Sequence, residues 1–196
     1  MSADLRLGAA FAGVLLRPRA TLRALARETS ARSGASAIAL LGVFWSALLA
    51  LLFAGGHAPS FVLLPIPKDL YYLAQALVML PVLTALWWLS SEIAHRLARA
   101  AGGSGEEAGT RAALGFAYAA PMLVFHVLPE LAAYLAGGFE TMALVGRVSL
   151  GLASLVVWAL SAAALRVAHG VGIGTAALAS LAGLLAQALV GGLVVR

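Results

Sequence analysis

The chain has 196 residues, 62% of them hydrophobic and 11% charged, with a net charge of +5 and no cysteine. Soluble chains average about 45–50% apolar and about 25% charged residues, so this one is better suited to lipid than to water. The composition excludes disulfides and cysteine-ligated metals, and the positive charges sit beside apolar runs rather than on one polar domain, which argues against nucleic acid.

Residues 3–30 read as two short helices. Leu5, Leu7, Phe11, Val14 and Leu15 make the first apolar, and Arg17-Pro18 ends it. Proline suits the first turn of the second. There Arg19, Arg23 and Arg27 recur every four residues, opposite Leu22, Leu25 and Ala26. Such a helix is expected to lie at the membrane surface with its arginines near anionic headgroups; the plainer alternative is that they only set topology. The first 32 residues carry six arginines, and the first strong apolar run starts near Ala35. That start is late and the run long for a cleaved leader, so it is expected to stay as an anchor.

Five apolar runs are long enough to cross ~30 Å of hydrocarbon, which takes about 20 helical residues. They cover 35–54, 70–90, 112–135, 148–165 and 175–195. Continuous runs mean helices, since a barrel would show short alternating segments. Gly55, Gly56, Pro59, Pro65 and Pro67 fill the first connection, and residues 102–105 the second. Ser104 with Glu107 predicts a capping box opening the third span. Gly137 and Gly138 close that span, and Gly170, Gly172 and Gly174 form the last turn. Pro121, His126, Pro129 and Glu130 interrupt the third run and make it the weakest of the five.

With the N-terminus in the cytoplasm, ten basic residues (Arg6, Arg17, Arg19, Arg23, Arg27, Arg32, Arg96, Arg99, Arg111 and Arg166) lie inside, and three (Lys68, Arg147 and Arg196) lie outside. That bias sets the orientation. The predicted fold is all-α: an integral membrane bundle of five transmembrane helices with an N-terminal amphipathic interfacial helix. Residues 1–34 form the cytoplasmic segment and 35–196 the membrane domain. The expected place is the cell membrane, multi-pass, with the C-terminus outside; a re-entrant third run would reverse that end.

Three stretches carry a family resemblance: LLRPRATLRALARE before the first span, RAALGFAYAAPML at 111–123, and WALSAAALRVAHGVGIGTAALASL at 158–181. Together they resemble the Yip domain family of five-span membrane proteins related to Rab-GTPase-interacting proteins. Tyr118 and Pro121 stand as in that family's aromatic-x-x-Pro pattern. The resemblance implies a five-helix bundle with a cytoplasmic N-terminus and, in eukaryotic members, a part in vesicle traffic and membrane shaping. The short N-terminal tail makes the chain look like the compact prokaryotic members, and Rab binding is not carried over.

Ionisable groups inside spans are costly and default to functional candidates. His126 and Glu130, four apart, share a helical face beside Pro129. They fit a proton relay or part of a metal site. Glu130 also lies roughly 27 Å along a helix counted from Ala112, near the outer surface, which favours a helix-end pair reaching water, Lys68 or Arg147. Glu92 and His95, spaced i, i+3, resemble half of a di-iron carboxylate site. The second half is absent, so no metal and no cofactor is expected, and Glu92 reads better as a partner of Arg96. His57 and His169 read as interface residues, and Gln75 and Gln187 as hydrogen-bonding groups between helices. Trp45, Trp87, Trp88, Tyr71 and Tyr72 read as belt anchors, and Trp158 as mid-span packing. Small residues on the last span allow close helix approach.

No nucleophile–base set or phosphate loop is visible, so the expected class is a non-enzymatic bundle that organises membrane or partner proteins. Its expected partners are a bilayer with anionic headgroups and either a second copy or another membrane protein, not nucleic acid. The rival is a small transporter or channel, with His126 and Glu130 lining a cavity among helices kinked at Pro81, Pro121 and Pro129.

Overall fold

The computed structural model describes residues 7–59 and 65–194. Leu5, Arg6, Val195 and Arg196 lie outside the described residues. The elements are α1 (Leu7–Leu16), α2 (Pro18–Leu25), α3 (Arg32–Ala54), a 3-10 turn (Lys68–Leu70), α4 (Tyr71–Ala100), α5 (Glu107–Met122), a π turn (Leu123–Val127), α6 (Leu128–His169) and α7 (Ile173–Val194). Among the described residues there is no strand.

Among the described residues four helical stretches are long and apolar enough to cross a membrane: Arg32–Ala54, Lys68–Ala100, Glu107–His169 and Ile173–Gly192. The third has 63 residues. As a straight rod it would measure about 95 Å, three times the ~30 Å of a hydrocarbon core. It is instead folded double at Gly138, whose φ of 76° and ψ of −167° are open to glycine and strained for other residues. The two arms then pair in opposite directions. His126 meets Ser149, Glu130 meets Gly146, and Thr110 meets His169.

Contacts along the other helices fix their directions. Gly34 touches Ala112, and Trp45 faces His126, so α3 runs parallel to the first arm. Gly42 touches Leu80, and His95 meets His169, so α4 runs opposite to α3. Gly183 lies against Ser90 and Gly191 near Leu86, so α7 runs opposite to α4. One end of the bundle therefore collects α2, the 101–106 connection and the turn after His169. The other collects the connection after α3 and the bend at Gly138.

The centre is α5. Residues 112–117 and 119–123 are all buried. A helix apolar on every side belongs in the middle of a bundle. Its small side chains make that possible. A Cβ added at Gly115 would lie 2.6 Å from Gly34 Cα, and one at Gly34 would lie 2.7 Å from the Arg111 carbonyl oxygen. The interruptions that make this run look weak in the sequence are absorbed inside it. Pro121 is buried, and Pro129, which has no N–H, follows the π turn in which the Leu128 N–H reaches the Leu123 carbonyl.

The outward faces carry Leu77, Leu135, Val148, Leu178 and Leu189, each more than two-thirds exposed. Apolar surface spread around a whole helical bundle is compatible with a membrane protein, whereas in water it would drive association.

Two local expectations are corrected. The capping box does not form: α5 is preceded by Glu106 with no side-chain cap, and the Ser104 N–H donates instead to the His169 carbonyl at 3.2 Å. The Leu22 and Leu25 side of α2 is turned into the protein, where both are fully buried. It packs on α5 and α6 rather than presenting an apolar face to acyl chains.

Candidate functional site

Two polar clusters, at Thr110 and at His126, sit about 24 Å apart along the first arm, by its rise per residue. The first is the pair predicted from sequence. The His126 ring is 5% exposed and meets the Trp45 ring edge-on, with centroids 5.4 Å apart. Its Nδ1 lies 3.0 Å from Ser149 Oγ, and the Ser149 hydroxyl donates to the Gly146 carbonyl at 3.2 Å. With that proton committed, Ser149 accepts and His126 Nδ1 donates. Glu130 Oε1 is 3.8 Å from His126 Nδ1, and its carboxylate rests on Gly146 across the bend. The four groups tie the two arms together near the turn. Helical spacing found His126 and Glu130, but Ser149 and Trp45 come from other helices and no local pattern points to them.

The second cluster was not visible in the sequence. His169 is 3% exposed, not an interface residue facing headgroups. Its Nδ1 is 3.2 Å from the Gly105 backbone N–H, and its Nε2 is 3.1 Å from Thr110 Oγ1 and 3.3 Å from His95 Nδ1. Thr110 Oγ1 donates to the Glu106 carbonyl at 2.7 Å. An N–H can only donate, so Nδ1 of His169 accepts and its Nε2 carries the proton, shared between Thr110 and His95. Gly103 and Gly105 press on the ring so closely that a Cβ at either would lie under 3 Å from His169 or its neighbouring backbone. The partners are 59 to 74 residues away in sequence, beyond any motif.

Beside this cluster Arg111 joins α4 to α5. Its two terminal nitrogens reach Glu92 at 2.7 Å and Glu107 at 2.5 Å, and its guanidinium lies 5.0 Å from the Trp88 ring centroid. Glu92 also holds Arg96 at 2.5 Å, the i, i+4 pair expected. His95 turns toward His169 rather than toward Glu92. Among the described residues no group of three or more His, Cys, Asp or Glu is placed to hold a metal ion.

The remaining sequence candidates are scattered. Arg19, Arg23 and Arg27 are exposed at the α2 end. Tyr118 is half-buried on α5, with its hydroxyl paired to Gln187 of α7, and Pro121 is buried one turn on. Trp87 is buried, not a belt anchor, while Trp88 is half exposed. The Trp158 indole N–H donates to the Ala177 carbonyl at 3.0 Å and so links α6 to α7. A small cavity of about 10 Å³ lies among α4, α5, α6 and α7, lined by Trp87, Tyr118, Ser161 and Ser180 among others. In comparisons with known proteins the chain matches no family model, no curated protein and no solved structure.

Proposed function

We propose that the chain is a five-span membrane protein of the Yip type, non-enzymatic, that organises the membrane or partner proteins at its cytoplasmic face. The spans are approximately 35–54, 70–90, 112–135, 148–165 and 175–195. The cell membrane is the proposed site, with the N-terminus inside and the C-terminus outside. One observation carries the reading: a row of exposed arginines, Arg19 and Arg23 on α2 and Arg27 in the turn after it, where the opposite side of α2 is locked into the bundle. Leu22 and Leu25 are fully buried, while Arg19, Arg23 and Arg27 are exposed. Exposed Arg96, Arg99 and Arg166 lie at the same end. A basic face held rigidly at an inner leaflet attracts anionic headgroups, each arginine contributing about 1 kcal/mol. Tyr118, Pro121 and the order of elements support the Yip comparison.

The transporter alternative requires water at His126. That ring is packed on Trp45 and Ser149, which lends the alternative no support.

The test uses full-length protein in nanodiscs of mixed phosphatidylglycerol and phosphatidylcholine. Arg19→Gln, Arg23→Gln and Arg27→Gln together are expected to cut anionic-lipid enrichment around the protein at least roughly tenfold, from three contacts of that size. Unchanged enrichment, or a C-terminal tag that stays protected in intact cells, would overturn the proposal.

A further inference from the structure

The His169 cluster serves neither the arginine row nor the His126 site, and it joins the ends of α4 and α6 to the start of α5. Gly103, Gly105 and the Ser104 N–H all rest on the end of α6: the Ser104 N–H donates to the His169 carbonyl, and the Gly105 N–H to its ring. Thr110, on the first turn of α5, takes the ring's other side, and His95 closes it from α4. Each polar atom has one role that fits only a neutral ring with its proton on Nε2.

We infer that His169 is an acid-released latch, which clamps the 101–106 connection and the start of α5 to the end of α6 while neutral and lets go when protonated. The physical reason is geometric. A charged imidazole carries N–H on both nitrogens. The new Nδ1 proton would point at the Gly105 N–H, donor against donor, and a buried polar group facing no acceptor is costly. Gly105 has no room to retreat, because it already abuts the Ala168 carbonyl.

The charged neighbours do not rescue the cation. On α4, Glu92 is engaged by Arg96 and Arg111, and Arg99 adds a like charge. On α5, Glu107 is engaged by Arg111, and Glu106 uses its carbonyl on Thr110 while its side chain is exposed. On α6 itself Arg166 is exposed, and α2, which packs on α6, turns Arg23 outward. His95 cannot be charged beside a charged His169 without repulsion. Opposing all this, His169 ends a helix, where the free carbonyls favour a cation. Burial, with the like charges of His95 and Arg99, outweighs that pull and holds the pKa of the ring down to about 4, so release needs acid well below neutrality. The sign follows: the clamp is complete at neutral pH and is lost as pH falls.

The test is carried out on full-length protein in nanodiscs labelled with 15N-histidine and 15N-glycine. At pH 7.5 His169 is expected as a single Nε2–H tautomer. Between pH 7.5 and 3, backbone protection at Gly103 and Gly105, corrected for intrinsic exchange, is expected to fall roughly tenfold or more, the equivalent of one lost hydrogen bond. In His169→Gln, which has no ring to protonate, that tenfold fall should be absent. A wild-type Nδ1–H tautomer, steady protection down to pH 3, or the same fall in His169→Gln would each overturn the latch. The wild-type tautomer together with the pH dependence of wild-type protection decides the question even if the variant fails to fold.

Discussion

Where α3 crosses α5, backbone meets backbone, and this makes one substitution informative in both directions. In Gly115→Ala the new Cβ would stand 2.6 Å from Gly34 Cα and 2.7 Å from the Gly34 carbonyl oxygen. Ordinary contact needs about 3.4 Å or more, and no side-chain rotation can relieve a clash between two main chains. The helices must separate by several tenths of an ångström along a seam that also holds Gly34 against Ala112. Overpacking of this kind costs about 1–3 kcal/mol. Against it stands the better helix propensity of alanine, about 0.8–1 kcal/mol. The clash wins, and a net loss of about 1–2 kcal/mol is expected for Ala and about 3 kcal/mol for Val, at the upper end of the overpacking range. Gly151, on the outer side of α6, has nothing within 4 Å of its would-be Cβ. Gly151→Ala should therefore gain up to about 1 kcal/mol from propensity alone. Reversible unfolding in mixed micelles, followed by tryptophan fluorescence, measures both. If Gly115→Ala matches Gly151→Ala in stability, the close crossing of α3 and α5 is wrong, and with it the central position of α5.

Ser149→Ala removes the acceptor of His126 and should cost about 1–2 kcal/mol in the same assay, since a buried donor is left without a partner. Glu92→Gln is expected to lose about 1–3 kcal/mol by weakening a carboxylate that joins α4 to α5 through Arg111, whose side chain is only 16% exposed. Arg96→Gln removes the other, 77% exposed partner and should change stability by less than about 0.5 kcal/mol; equal losses from the two would refute this division of roles.

Length and apolar continuity located the long helices well because lipid leaves few alternatives to a helix of about 20 residues. The run expected at 35–54 is α3 almost residue for residue. The third run reads as the weakest on its prolines and its His126 and Glu130, yet its alanines and glycines make it the axis of the bundle. Local pattern cannot see that, because small residues gain their value from whichever helix lies against them. Arg27 falls in the turn after α2, but Arg19 and Arg23 were legible as one face of a helix. That Leu22 and Leu25 would be buried in protein rather than dissolved in lipid was not, since both environments reward the same side chains. The burial of His169 escapes local pattern for a related reason: its partners Gly105, Thr110 and His95 are supplied by the tertiary fold, and a histidine before a glycine turn reads the same with or without them.

The single residue that reverses the long hairpin has a practical corollary. Gly138 turns the chain with no spare length, and the arms on either side, Glu107 to Gly137 and Phe139 to His169, are equal. That corner offers no exposed ribbon for an antibody tag, a protease or a fused reporter, and an insertion there would push Glu130 off Gly146 and shear the two arms out of register. Engineering handles belong instead at the longer connection between α3 and α4, where Gly56 and Pro67 already lie at the surface.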